Sequence, residues 1–348
     1  MTWTTYRMEL LTNTFCAGAD QRQAEIRIPS IRGQVRWWFR ALGGSPEEER
    51  EIFGGVHGDK PTASKVRFRL AHPVVSRCAK NLKDFGYSIE HPQAYLLWPL
   101  RPTAQDDRKR GVLPPNTRFD LMVQHSGLSK ESHGRFESAL FAWMMLGSLG
   151  TRSRRGYGSV WPAKDSQFPF CLDSREKVTR ALDNILGKFP QACLLAITLG
   201  QARLRAEDAL NQMGKWLKEF RAGSKRSVKT PSRWGRNDHD NATGEGEILY
   251  RPVLGLPLAQ RYKSGKLKKT TLKDGTDRWA SPVHLKVIRC ESQYYAAAVF
   301  FPEMAMPNGT RLKVFGKNGM SFKQANRGLF EAMMKPPPGG EVFCKVGS

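Results

Sequence analysis

The sequence predicts an α+β fold of two ferredoxin-like, RRM-like modules packed side by side, with insertions. Three observations carry this expectation. Over the first 162 residues the hydrophobic period runs strand, helix, strands, helix, strand, the order of a ferredoxin-like unit. The same order returns, more faintly, after residue 175. The chain has 348 residues, 40% of them hydrophobic, which suffices for two domains of ordinary size or one large one. The modules are therefore placed at residues 1–165 and 175–348.

In chain order, Thr2–Thr14 reads as a strand rich in Thr, Tyr, Trp and Leu. Ser30 is the expected N-cap of a helix that runs to Leu42 and stops at Gly43-Gly44. A second helix spans Pro46–Phe53 and ends at Gly54-Gly55. Strands are expected at Lys65–Leu70, Gln93–Pro99 and Arg118–Gln124, then an apolar helix over Phe136–Leu149 and a closing strand at Ser159–Pro162. The second module is read as a helix at Arg175–Leu186, a strand at Ala192–Leu199 and a helix at Ala206–Phe220. Strands follow at Val283–Arg289 and Tyr294–Phe301, and a last helix at Phe322–Lys335. Residues 223–247 are polar and basic with little to bury, and read as a mobile loop.

Lys and Arg number 56 against 32 Asp and Glu, a net charge of +24. An excess of that size points to a nucleic-acid partner. The charge is spread along the chain rather than gathered on one amphipathic helix, which argues against a membrane surface. No signal core is visible and no apolar run approaches the ~20 residues of a membrane helix. The six cysteines (Cys16, Cys78, Cys171, Cys193, Cys290 and Cys344) have no short pair spacing. That argues against a zinc knuckle and a disulfide scaffold and favours reduced, cytoplasmic thiols.

The densest motif is Gly147-Ser-Leu-Gly150-Thr-Arg152-Ser153-Arg154-Arg155-Gly156-Tyr157-Gly158. Its four glycines (Gly147, Gly150, Gly156 and Gly158) permit close backbone approach to a ligand, and its exposed N–H groups suit an anion. Arg152, Arg154 and Arg155 suit phosphate oxygens, with Ser153 beside them, and Tyr157 offers a flat surface for a base. The Gly-Lys-Ser/Thr ending of a phosphate-loop NTPase is absent. The loop is expected to be exposed and to add little to the core.

On the first helix Arg32, Arg36 and Arg40 stand four apart and share one face, while Ile31, Val35, Trp38 and Leu42 share a buried one. With no carboxylate at helical pairing distance, the arginines are expected to repel one another unless an anion is bound. A solvated arginine face is the bland alternative. Lys225, Arg226, Lys229, Arg233 and Arg236 surround Trp234, a composition suited to single-stranded RNA. A second basic cluster runs from Arg261 to Lys273.

The stretch Gly18-Ala19-Asp20, then Ile28-Pro29-Ser30-Ile31-Arg32-Gly33-Gln34-Val35-Arg36-Trp37-Trp38-Phe39-Arg40-Ala41-Leu42, then Ile52-Phe53-Gly54 and Ser64-Lys65-Val66, resembles the N-terminal signature of the RAMP superfamily. The loop at Gly147–Gly158 resembles that superfamily's glycine-rich loop. More closely, the pattern resembles a subunit of type III-B CRISPR effectors. The resemblance implies a non-catalytic component near the 3′ end of the guide RNA that helps engage target RNA for antiviral defence. It also implies Lys65 as an RNA contact, and the guide RNA, target RNA and other RAMP subunits as partners. No catalytic residue, metal or cofactor is expected.

Two other readings stand beside this one. A stand-alone RAMP-type endoribonuclease processing guide RNA would use His57 as a general base, or Asp20 near the first strand. His57 is otherwise a loop histidine and Asp20 an Asx-turn residue. No H-x-x-x-H or H-E-x-x-H spacing occurs among the seven histidines. The third reading is a structural protein that binds RNA without sequence preference.

Overall fold

The computed structural model describes residues 2–57, 60–189, 195–221, 233–243, 246–256, 258–261, 267–272, 278–316, 319–336 and 339–346. The first module contains β1 (Thr4–Leu10), α1 (Ile28–Ala41), α2 (Pro46–Phe53), β2 (Val66–Leu70), α3 (Pro92–Leu96), β3 (Arg118–His125), α4 (Lys130–Leu146) and β4 (Val160–Pro162). Its sheet has the order β4-β1-β3-β2 with every pairing antiparallel, the ferredoxin-like arrangement. Tyr6, Met8 and Leu10 alternate inward from β1, and Ile31, Val35 and Trp38 of α1 are buried in the same core. Helix α1 starts at Ile28 rather than after Ser30, with Arg27 at the N-cap and Pro29 in the first turn, where its missing N–H costs nothing.

The second module follows α5 (Arg175–Leu186) and contains β5 (Leu195–Leu199), α6 (Ala206–Arg221), α7 (Arg233–Thr243), β6 (Ile248–Leu249), β7 (Leu258–Arg261), β8 (Leu267–Leu272), β9 (Val283–Cys290), β10 (Gln293–Phe300), β11 (Arg311–Gly316), β12 (Gly319–Ala325), α8 (Gly328–Met333) and β13 (Glu341–Val346). Strands β9-β10-β5-β13 repeat the ferredoxin-like order, again antiparallel throughout. The insertions assemble into a second, five-stranded sheet, β6-β12-β11-β8-β7.

Three sequence expectations are corrected. The strand expected at Gln93–Pro99 is the short helix α3 followed by a 3-10 turn at Trp98–Leu100. Pro92 presets the helical φ, and His91 Nδ1 accepts the Gln93 N–H at 3.3 Å as a cap. The helix expected at Phe322–Lys335 divides into strand β12 and helix α8, because β12 finds strand partners on both edges. Within the segment expected to be a mobile loop, residues 233–243 form helix α7. Its inner side carries buried Gly235, Asp238 and Ala242, and Asp238 accepts from the N–H of Tyr250 at 2.6 Å and of Arg251 at 2.9 Å. That buried carboxylate anchors a helix too polar to be recognised by hydrophobic period.

One continuous hydrophobic core runs through both modules. Helix α4 is apolar on nearly all sides because it lies between its own sheet and β9. The seam also contains polar ties. Arg289 of β9 donates a two-pronged pair to buried Glu9 of β1, at 3.2 and 3.1 Å, and Ser159 Oγ accepts from Val287 N at 3.0 Å. Lys286, wholly buried, donates to the carbonyl of Met144 at 3.4 Å and stands 5.6 Å from the Trp161 ring centre.

Burial holds the Lys286 ammonium well below the usual lysine pKa. The unfolded chain then binds a proton that the folded chain resists, so this residue costs stability below an unfolded pKa of about 10.4. Lys286→Met should raise Tm at pH 7, because the variant has no buried ammonium to desolvate. The gain should shrink as pH rises towards ~10. Thermal melts of both proteins across pH check this, and a less stable variant at pH 7 contradicts it.

Candidate nucleic-acid interface

The glycine-rich loop connects α4 to β4 and folds back on itself, Leu149 N donating to Gly158 O at 2.8 Å. Gly158 sits at φ +69°, where a side chain would run into the backbone of Leu149. Thr151 N donates to Phe15 O at 2.7 Å and Thr12 Oγ1 to Gly156 O at 2.8 Å, tying the loop to the strand end. On its other side Gly156 N donates to Leu285 O at 2.9 Å, and Leu285 N to Arg154 O at 3.3 Å. The loop thus pairs in parallel with β9 of the second module. The expectation of an exposed loop that adds little to the core is corrected: it is the join between modules.

Tyr157 is likewise corrected as a base platform. Its side chain is fully buried, and its hydroxyl donates to Gln93 Oε1 at 2.8 Å. Gln93 Nε2 in turn donates to Asn211 Oδ1 of α6 at 3.0 Å, so the tyrosine helps align the two modules. Gly147 takes the C-cap of α4, and Gly150 and Gly156 take positive φ against Phe15 and Met213. Backbone shape, not ligand approach, accounts for all four glycines.

The three loop arginines remain at the surface of the join, each half-buried, and Ser153 is half-buried between them. Arg152, at φ +68°, donates from Nε to Leu96 O at 2.7 Å. Arg155 donates to Arg154 O at 2.9 Å and Val283 O at 3.4 Å. Arg154 stands 5.9 Å from the Trp37 ring centre. Arg221, the last residue of α6, approaches Arg152 and Arg155 closely enough to act on both charges. Burial, then Arg221, draws Arg155 down to about 9 and Arg152 to about 10; burial alone lowers Arg154. Among the described residues no carboxylate pairs with any of the four, and Arg221 Nε is buried without a hydrogen-bond partner. Beside them His284 stacks on Trp37 at 4.7 Å and keeps an unpartnered Nε2. Burial, reinforced by Arg154 and Arg155, holds His284 neutral. Four clustered guanidinium groups with no counter-charge among the described residues have the charge and the donors that a polyanion requires.

The α1 stripe is the opposite case. Arg36 Nε and Arg40 Nη1 both donate to Glu49 Oε1 of α2 at 2.6 Å, and Arg32 donates to the carbonyl of Phe53. Lys65 pairs with Glu51 at 2.8 Å. The expectation of mutually repelling arginines is corrected for Arg36 and Arg40, because α2 turns Glu49 onto both; at Arg32 burial, then the Arg36 charge, lowers the pKa. Burial pushes the Glu49 pKa up, but the hydrogen bonds from Arg40 and Arg36 prevail and hold it below the ordinary value. Arg233 and Trp234 lie on α7, where Arg233 covers the Trp234 ring at 4.2 Å and Trp234 meets Tyr250 at 4.9 Å. Lys225, Arg226 and Lys229 lie outside the described residues, as does the side chain of His57. Asp20 Oδ1 accepts the N–H of Arg22 at 2.8 Å, the geometry of an Asx-turn.

Residues 7–161 match the RAMP superfamily model. The CRISPR system Cmr subunit Cmr1-1 of Pyrococcus furiosus is 31% identical over 161 residues, covering 44% of this chain and 46% of that protein. Subunit Cmr1-2 of the same organism is 28% identical over 174 residues, covering 44% of this chain and 92% of that one. This chain thus aligns with less than half of the first relative's length. The crystal structure of apo Cmr1 from Pyrococcus furiosus superposes with a TM-score of 0.58 at 22% identity, covering 86% of this chain and 88% of that chain. The fold of both modules is therefore that of Cmr1.

The RAMP-matching stretch contains the arginine helix and the loop arginines, but not Arg221 or His284, which sequence reasoning missed. No local signal marks either; both reach the site only through packing of α6 and β9 on the loop. Among the described residues no group of three His, Cys, Asp or Glu side chains is placed to hold a metal ion. No helix among them is long and apolar enough to cross a membrane.

Glu49→Gln should leave Arg36 and Arg40 without their shared partner, at a cost of about 1–3 kcal/mol. Because the folded-state Glu49 pKa is depressed, the wild-type advantage is present above an unfolded value of about 4.3 and disappears as pH falls through the lower folded value. Denaturant titrations at several pH values test this. An advantage that persists unchanged at low pH would argue against the ion pairs.

Proposed function

We propose that the chain is a non-catalytic RNA-binding subunit of a type III-B CRISPR (Cmr) effector complex, working in the cytoplasm. In this reading Arg152, Arg154, Arg155 and Arg221 hold RNA phosphates at the join, near the 3′ end of the guide RNA, and help engage target RNA. The observation that carries it is the half-buried arginine cluster without a carboxylate. The Cmr1 relatives, the RAMP match and the net charge of +24 support it. Other Cmr subunits are the proposed protein partners.

The mechanism is positional. Phosphate oxygens replace the water lost from the guanidinium groups and cancel their mutual repulsion, so binding is stronger than at an exposed cluster of equal charge. Helix α1, whose Arg36 and Arg40 already share Glu49 of α2, is assigned a structural role.

Arg221→Ala should weaken single-stranded RNA binding while leaving the loop's backbone pairing intact. Each phosphate no longer held should remove about 0.7 from the log–log salt slope. Anisotropy titrations over a range of salt measure both effects; unchanged affinity and slope would sink the site. Labelled repeat RNA incubated with the protein, with and without Mg²⁺, should remain uncut. Cleavage that disappears in Asp20→Ala or His57→Ala would support the endoribonuclease reading instead. Co-purification with ribosomes rather than with Cmr subunits would favour the non-specific RNA-binding reading.

A further inference from the structure

On β11 and β12 the five-stranded sheet has one face turned to the core and one to solvent. On β11 and β12 the inner positions are Leu312, Val314 and Ala325, at most 2% exposed, with Lys323 reaching the Gly246 carbonyl at 2.7 Å. The outer positions alternate with these. Phe315 is 41% exposed, Met320 53% and Phe322 43%, a concentration of large apolar side chains that an antiparallel sheet facing water does not need. Phe315 stands opposite Met320 and Lys313 opposite Phe322, so the two phenylalanines are diagonal neighbours on adjacent strands. Their Cβ atoms are then roughly 7 Å apart. Arg311 lies with its guanidinium 5.9 Å from the Phe322 ring centre.

The charge on this sheet is of one sign. Residues 258–272 and 311–325 together hold nine Lys and Arg and no Asp or Glu, so nothing in these strands neutralises the face. In the backbone register of the next strand Lys269 stands opposite Phe315 and Thr271 opposite Lys313, and Thr271 is buried, so the exposed surface is that of β11 and β12. A protein partner would have to bring an acidic surface to meet these cations. Aromatic rings on neighbouring antiparallel strands, interleaved with cations, instead match a polyanion whose bases are unpaired. Duplex RNA keeps its bases stacked inside and has no use for the rings.

We propose that the outer face of this sheet is a second single-stranded RNA-binding platform, with Phe315 and Phe322 stacking unpaired bases and Arg311 and Lys313 meeting the phosphates. It is separate from the arginine join in sequence and chemistry, and it does not depend on the Cmr assignment.

The test uses the full chain, a short labelled oligouridylate and a blunt RNA duplex. Phe315→Ala and Phe322→Ala should each weaken oligouridylate binding by about ten-fold. Duplex binding should hold, and Phe322→Trp should bind like wild type. Arg311→Ala with Lys313→Ala should lower the salt slope by about 0.7 for each phosphate that the two side chains hold. Unaltered melting curves establish that the variants remain folded, since both rings already face solvent. Arg221→Ala is measured alongside. Loss with Arg221→Ala but none with the double phenylalanine variant would leave the join standing and overturn the platform, and the reverse would uphold the platform alone. A double variant that keeps RNA affinity but no longer co-purifies with partner subunits would also overturn the proposal, making this a protein-docking face.

Discussion

The structure depends on one constraint: a glycine-rich loop must fit between two sheets and satisfy its backbone on both. Buried amides without partners cost about 1–3 kcal/mol each, so the loop cannot merely lie in the gap. It closes on itself between Leu149 and Gly158, hands Thr151 to Phe15 on one side, and pairs Arg154 and Gly156 with Leu285 on the other. The positive φ values at Gly150, Gly156 and Gly158 follow from these simultaneous demands. Once the loop is fixed, β9 is fixed against it, and with β9 come the Glu9–Arg289 fork and the burial of Lys286 under α4.

The same placement explains the contrast between two arginine groups that look alike in sequence. Those on α1 are met by Glu49 and by the Phe53 carbonyl, because α2 follows after a short turn and packs alongside. The loop arginines face a join built from strand ends and the end of α6, and the fourth charge arriving there, Arg221, is again positive. Removing like charges from water without a counter-ion is among the less favourable arrangements a protein can adopt. An arrangement of that kind is expected where a ligand supplies the missing charge.

Much of the first module was legible because its signals are local. The strand-forming composition around β1, the buried face of Ile31, Val35 and Trp38, and the Pro46–Phe53 helix ending at Gly54 can all be read within a few residues. Long-range partners could not. Glu49 lies nine residues beyond Arg40, outside any helical spacing, and Gln93 is 64 residues from the Tyr157 hydroxyl it accepts. The five-stranded sheet escaped for the same reason. Its neighbours β8 and β11 are separated in the chain by the β9–β10 hairpin, so no local pattern joins them. Helix α7 escaped because its anchor is a buried Asp238 carboxylate rather than an apolar stripe.

In the proposed reading, RNA and module packing influence one another. The loop arginines come from the first module and Arg221 from the second, so their repulsion falls across the join itself. A bound phosphate attracts both halves at once, and any ligand that prefers the joined form stabilises it by RT ln(1 + [L]/Kd), about 2.7 kcal/mol at a hundred-fold excess over Kd. Linkage makes the effect mutual: an interaction that tightens the join, such as the Glu9–Arg289 fork on its far side, raises the affinity of the arginine site to the extent that it raises the joined fraction. The fork touches no arginine of the cluster, yet it belongs to the same equilibrium because both bear on the position of β9. In this chain the geometry of the core and the placing of the arginine cluster are therefore both set by one strand.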